Sequence, residues 1–247
     1  MKFHILKNKE QLSNELAAWI SDLITTTLQE QENFTLVLSG GETPKLLYEK
    51  LASEFKEKVD WKRVNIFWGD ERVVPFNDER NNAKQAYDLL IDKIDIPASN
   101  VHAMRTDIEP VFAAKEYEGL LHNYFDHTQK SFDLVLLGLG DDGHTLSLFP
   151  GTSVLDEENK DWVNAIYNEN QEMYRITLMP VIVNRASNVV FLVEGSKKAE
   201  ILKQVTEGTY DPLKLPAQII KPLDGKLHWF LDEKASKALD KTSLNGI

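Results

Sequence analysis

Two acids and a histidine, Asp141, Asp142 and His144, follow directly on an apolar run in the stretch SFDLVLLGLGDDGHTLSLFPG, Ser131 to Gly151. Carboxylate and imidazole are the side chains of proton transfer near neutral pH. Their position matters as much as their type. Phe132 to Leu137 has no polar alternation, the pattern of a central parallel strand covered on both faces. Gly138 and Gly140 let the backbone turn sharply just past its carboxyl end, where open α/β sheets place their ligands. A plainer reading of the same residues is an ordinary Asp-Asp-Gly turn into a helix beginning near Thr145, with His144 a satisfied surface or core residue.

A second stretch has the chemistry of anion binding. SGGETP, Ser39 to Pro44, follows the apolar run Phe34 to Leu38 and reads as strand, glycine turn and helix start, with Thr43 as N-cap and Pro44 at the first helical position. Such a junction aims unpaired N–H groups and the positive end of a helix dipole at one point. Most glycine turns between a strand and a helix nevertheless bind nothing. Charged residues recur at other strand ends. Asp70, Glu71 and Arg72 follow Val64 to Trp68, and Arg175 precedes Ile176 to Leu178. Taken alone, the Asp70 triplet is a solvated turn; with a second such exit facing the same crevice it is harder to dismiss. Beyond the strand Asn188 to Val193, Ser196 is placed as an N-cap with Lys197 and Lys198 in the first turn. Cations there oppose the helix dipole by roughly a few tenths of a kcal/mol each, which a bound anion would offset; otherwise they are two solvated lysines.

These positions need a scaffold. Asn8, with Gln11 three residues on, starts a helix whose Leu12, Leu16, Ile20 and Ile24 form a core-facing stripe. A second helix runs through Leu46, Leu47, Leu51 and Phe55, a third through AKQAYDLLIDKI, and Pro110 opens a fourth through Tyr117, Leu121 and Phe125. A short strand is expected within Ile96 to Met104 and another from Trp162 to Ile166, then a brief helix from Pro180 to Arg185. The strand LHWFL and a short helix from Glu233 to Leu239 lead to a polar tail. Strands alternating with helices, without repeats or a low-complexity linker, indicate a single domain, 1–247. The expected fold is a doubly wound, mostly parallel α/β sheet with helices on both faces, Rossmann-like. SGGETP lacks the third glycine of GxGxxG, so no dinucleotide cofactor is expected.

Composition narrows the partners. Thirty-nine acids against 28 bases give a net charge of −11, which argues against a nucleic-acid partner and against an anionic membrane surface. An anionic substrate would need a local cluster of Arg, Lys and backbone N–H groups to overcome that field. No apolar run is long enough to cross a bilayer, and MKFHILKNKEQLSNEL turns polar before a signal-peptide core could form, so a soluble, cytoplasmic protein is expected. With no cysteine there is no disulfide, thiolate nucleophile or cysteine zinc site, and the six histidines lack metal-ligand spacing. Neither metal nor cofactor is expected, and the assembly expected is a monomer or weak homo-oligomer.

Taken together, SGGETP, LYEKL at Leu47 to Leu51, WGDERVVP at Trp68 to Pro75, and FDLVLLGLGDDGHTLSLFPG at Phe132 to Gly151 resemble the 6-phosphogluconolactonase family, which is related to the glucosamine-6-phosphate deaminases. Arg175-Ile176-Thr177-Leu178, GSKKA at Gly195 to Ala199, LPAQ at Leu215 to Gln218 and WFLD at Trp229 to Asp232 extend the resemblance in the same order. It implies hydrolysis of 6-phosphoglucono-δ-lactone, a small sugar-phosphate lactone, to 6-phosphogluconate in the pentose phosphate pathway, without metal or organic cofactor. On this resemblance His144 deprotonates water and then protonates the leaving ring oxygen, and Asp142 orients its imidazole. Ser39, Gly40, Gly41 and Thr43 form a phosphate nest with Arg175 and Lys198, and Asp70 and Arg72 are further substrate-binding candidates. Which glycine-turn N–H groups meet the oxyanion stays open.

The chain departs from the family pattern in two places. Asn81, Asn82 and Ala83 stand where the family commonly shows Ser-Asn-Tyr, and only Asn82 fits. Glu42 occupies a place where relatives often carry a small polar residue, so its carboxylate has to point away from the phosphate. The related deaminases follow DGH with a Glu-Pro pair and have DEY in the acid loop. Phe149 before Pro150, and Arg72 in place of the tyrosine, favour the lactonase. A non-enzymatic sugar-phosphate sensor would keep the anion site and lose the base, whereas His144 and Asp142 are both present.

Overall fold

The computed structural model describes residues 1–152, 155 and 159–240. In chain order its strands and α-helices are β1 (Lys2–Leu6), α1 (Lys9–Thr27), β2 (Phe34–Leu38), α2 (Lys45–Ser53), β3 (Val64–Trp68), β4 (Asp70–Arg72), α3 (Asn82–Leu89), β5 (Val101–His102) and α4 (Pro110–Phe125). There follow β6 (Leu134–Leu137), β7 (Val163–Asn168), β8 (Met173–Leu178), α5 (Pro180–Val183), β9 (Asn188–Val193), α6 (Ala199–Glu207), β10 (Lys226–Asp232) and α7 (Glu233–Ser236). Seven strands form one sheet in the order β1-β10-β9-β6-β2-β3-β5, with every pairing parallel.

The unbroken apolar runs exist because both faces of this sheet are covered. Leu36 and Leu38 of β2, Leu134 and Leu136 of β6, and Val190 and Leu192 of β9 pack in one core layer with α1, α2 and α3. The intervening residues Val37, Val135, Leu137, Val189 and Phe191 pack in the other with α4, α5, α6 and α7. This is the doubly wound arrangement expected from sequence. β6 lies between β2 and β9. From β2 the chain winds outward to β3 and β5, while β9, β10 and β1 continue on the other side. The crevice past the carboxyl ends of β2 and β6 is therefore a topological switch point, where such sheets bind ligands.

A second sheet was not foreseen. β4 pairs antiparallel with β8 and β8 with β7, and this three-stranded sheet is fastened to the large one at Gly69. The Gly69 N–H donates to the Leu38 carbonyl at 2.9 Å, and its carbonyl accepts from the Leu178 N–H at 2.8 Å. Asp70 and Glu71 are buried strand residues as a result, so the solvated-turn reading of this triplet fails.

Asn8 caps α1 as expected, its side chain accepting from the Gln11 N–H at 3.0 Å. Thr43 does not cap α2, whose cap position is held by Pro44 without a side-chain hydrogen bond. Ser196 to Lys198 form a separate 3-10 turn, so Lys198 rather than Ser196 stands at the cap of α6. No helix starts at Thr145: its hydroxyl donates to the Gly138 carbonyl at 2.8 Å, Ser147 Oγ donates to Asp70 at 2.7 Å, and Leu146 between them has φ of 55°. Those bonds hold the segment down where a helix would lift it away. The polar tail at 241–247, and 153–154 and 156–158 of the irregular stretch before Asp161, lie outside the described residues.

Candidate active site

A cavity of about 270 Å³ opens past the carboxyl ends of β2, β3, β6 and β9, lined by every catalytic and substrate-binding residue that the resemblance implies except Asp142. Asp142 stands behind His144. Its Oδ1 lies 2.5 Å from His144 Nδ1 and accepts the His144 backbone N–H at 3.1 Å. Partial burial pushes the Asp142 carboxyl up, but the hydrogen bond and charge of the His144 ring, with that backbone N–H, outweigh it and hold the carboxyl below its ordinary range. An ionised carboxylate only accepts, so Nδ1 carries a proton, and in the neutral form of the ring Nε2 is the acceptor. Nε2 has no partner among the described residues. Gly140 makes room for this pair: a Cβ there would lie 2.1 Å from His144 Nδ1 and 2.8 Å from Asp142 Oδ1.

The glycine turn after β2 presents bare amides. No acceptor among the described residues takes the N–H of Gly40, Gly41, Glu42 or Thr43. Gly41 has φ of 92°, a backbone that suits glycine, while a Cβ on Gly40 would lie 1.8 Å from Asn82 Oδ1. Ser39 lines the cavity with its amide already engaged. Its N–H donates to Tyr48 Oη at 3.0 Å, and the same hydroxyl donates back to the Ser39 carbonyl at 2.5 Å. Its amide is thus occupied, and buried Tyr48 fixes the base of the turn. Glu42, also at the cavity, has a largely exposed side chain that pairs with Lys45 at 2.6 Å.

Three cations line the same cavity. Arg175 is buried, with Nη1 3.4 Å from Asp70 Oδ2 and Nη2 donating to Gln171 Oε1. Burial pulls its guanidinium down, Asp70 opposes that and Arg72 adds to it. Arg72 donates from Nη1 to the Arg80 carbonyl at 2.7 Å. In both arginines Nε is buried without an acceptor among the described residues. Lys198 reaches in from the turn before α6 and contacts Asp141. Asp70 lines the cavity, yet both its oxygens have protein partners: Oδ2 accepts from Ser147 Oγ and Arg175, and Oδ1 lies 3.4 Å from Asn82 Nδ2.

Glu71 lies beneath the site and outside the cavity. Its carboxylate accepts the backbone N–H groups of Arg72 at 2.8 Å and of Asn82 and Ala83 at 2.7 Å, satisfying the first amides of α3. Burial pushes this carboxyl up to about 7 against those three hydrogen bonds. Asn81 caps the same helix, its side chain accepting from the Lys84 N–H at 2.8 Å, so the unusual Asn-Asn-Ala segment has a structural role. Sequence reasoning missed Gln171, which lines the cavity from the turn between β7 and β8. A glutamine in a polar turn carries no signal of that. Among the described residues no group of three or more His, Asp or Glu side chains is placed to hold a metal ion.

Residues 7–229 match the family described as glucosamine-6-phosphate isomerases/6-phosphogluconolactonase. The chain belongs to that family. It is 38% identical over 239 residues to a 6-phosphogluconolactonase of Synechocystis sp., covering 95% of this chain and 97% of the relative. It is 40% identical over 220 residues to one of Nostoc sp., covering 87% and 89%. The crystal structure of a 6-phosphogluconolactonase from Thermotoga maritima superposes with a TM-score of 0.81 at 28% identity, covering 94% of this chain and 99% of that one. A monomeric glucosamine-6-phosphate deaminase matches with a TM-score of 0.82 at 21% identity, covering 96% and 100%, a likeness of fold alone. The fold is thus common to both activities in the family name.

Proposed function

We propose that this chain hydrolyses 6-phosphoglucono-δ-lactone to 6-phosphogluconate, a step of the pentose phosphate pathway, with His144 as the group that moves the proton. The observation that carries this reading is the meeting, in one cavity, of an Asp142-backed imidazole with a bare-amide turn and two buried arginine Nε groups. The turn Gly40 to Thr43 holds the phosphate with Arg175 and Lys198, through charge-assisted hydrogen bonds at the N-terminal end of α2. Arg72 adds a donor toward the same anion or a sugar oxygen.

Water attacks the lactone carbonyl carbon as His144 Nε2 takes its proton, and the carbonyl oxygen becomes an oxyanion. Collapse of that intermediate breaks the bond to the ring oxygen, to which His144 returns the proton, leaving the open-chain acid. Asp142 keeps the ring in the required tautomer and stabilises its charged form. The oxyanion donors are narrowed by what is already engaged. Gly140 gives its N–H to the His144 carbonyl at 2.8 Å and Ser39 gives its own to Tyr48, so neither serves.

Phe149 favours this reaction over the deaminase. Its ring lies 4.6 Å from the His144 ring and 6.0 Å from the Arg175 guanidinium, where the related deaminases carry a glutamate to assist the histidine. The direct test mixes purified protein with freshly made lactone and follows acid release above the spontaneous background. Rapid, saturable release is expected; a rate equal to the background contradicts the reading.

A further inference from the structure

Lys198 does not stand bare in the cavity. Its ammonium contacts Oδ1 of Asp141, so that the pair bridges the exits of neighbouring strands β6 and β9. The two ends differ in exposure. The Lys198 side chain is 22% exposed and lines the cavity, whereas that of Asp141 is 78% exposed and does not. Asp141 has no other side-chain partner among the described residues. The other acid beside a cavity cation is locked in place: Asp70 is buried and bonded to Ser147 and Asn82 as well as Arg175. One carboxylate therefore cannot leave its cation, and the other is free to swing into water.

We infer that Asp141 is an exchangeable counterion that occupies Lys198 when the cavity holds no phosphate and yields it to the phosphate of substrate or product. This inference rests on the lactonase reading. Binding a phosphorylated sugar then replaces one anion on Lys198 by another instead of neutralising a bare cation. The displaced carboxylate remains nearby and repels the phosphate through solvent. Both effects weaken the hold on a phosphorylated product without touching His144, whose partner is the adjacent Asp142. Asp141 thereby sets how readily product leaves, and it acts on the phosphate alone.

The test uses the full chain and the variants Asp141→Asn and Asp141→Glu, with calorimetric titration of 6-phosphogluconate and of gluconate at low and high salt. Asp141→Asn is expected to bind 6-phosphogluconate about two- to fivefold more tightly at low salt, the span set by what one exposed ion pair is worth. The gain should shrink at high salt. Gluconate affinity should not change, and Asp141→Glu should behave as wild type. In turnover, Asp141→Asn should lower KM for the lactone without raising kcat. Equal or weaker binding of 6-phosphogluconate by Asp141→Asn would overturn the inference alone, since it would mean that the carboxylate holds Lys198 ready for the ligand. Failure of the wild type to bind 6-phosphogluconate at all would instead overturn the lactonase reading, and the inference with it.

Discussion

Arg72 and Arg175 face each other directly across the antiparallel pair β4 and β8, and each keeps a buried Nε without an acceptor among the described residues. Like charges in directly opposed positions destabilise a sheet, by on the order of 0.2–1 kcal/mol. Asp70 offsets only part of this, through Arg175. On the proposed reading, a phosphate bound beside the two guanidiniums would remove the conflict.

Removing one of these cations should separate phosphate recognition from the rest of the reaction. Arg175→Ala and Lys198→Ala are each expected to weaken productive binding of the phosphorylated lactone by about 1.5–3 kcal/mol, the worth of a charge-assisted hydrogen bond. Gluconolactone without phosphate should be turned over as by the wild type. Arg175→Ala also strips Asp70 of a partner, so its Tm should be measured alongside. Equal losses on both lactones would assign the residues to the fold instead.

Gly140→Ala tests the seat of the His144–Asp142 pair. The added methyl would lie 2.1 Å from Nδ1, so the ring has to move. A misplacement of about 1 Å at a reacting group lowers the rate by about 10²-fold. Affinity for 6-phosphogluconate should hold, because neither the amide turn after β2 nor the arginine pair is touched. Full activity in this variant would show that the pair's geometry is not needed.

Glu71 ties stability to pH. Burial pushes its carboxyl up to about 7, so the folded chain binds this proton more tightly than the unfolded chain does. Its contribution to stability is complete below the ordinary glutamate range, about 4.3, and is lost as pH rises through about 7. The difference in stability between wild type and Glu71→Gln, measured by denaturant unfolding, should therefore decline from pH 5 to pH 8. A difference that is constant across that range would contradict the assignment.

Much of this was legible in the sequence because strand exits announce themselves: an apolar run, then glycine, then a polar side chain. That pattern marked Gly40, Gly41, His144, Arg72 and Lys198 as strand-exit residues, and the family resemblance assigned them to one site. Other features had no such signature. Lys2 to Leu6 is an edge strand paired, among the described residues, with β10 alone, and its mixed residues look like a polar start. The burial of Glu71 depends on backbone N–H groups at Asn82 and Ala83, and backbone groups leave no mark on residue type. The helix expected from Thr145 failed because hydroxyls of Thr145 and Ser147 bond to Gly138 and Asp70, contacts that local spacing cannot reveal.

The central claim is that His144 moves the proton, and His144→Ala tests it most directly, with Asp142→Asn alongside. Asp142 is held below its ordinary range, so its carboxylate is ionised and accepts from His144 Nδ1. Asp142→Asn should lose less than His144→Ala, since a base remains. The decisive measurement is single-turnover hydrolysis of fresh lactone by His144→Ala, with the spontaneous rate subtracted and 6-phosphogluconate binding measured on the same sample. The account predicts retained binding and a rate lower by about 10² to 10⁴; turnover near that of the wild type would contradict it.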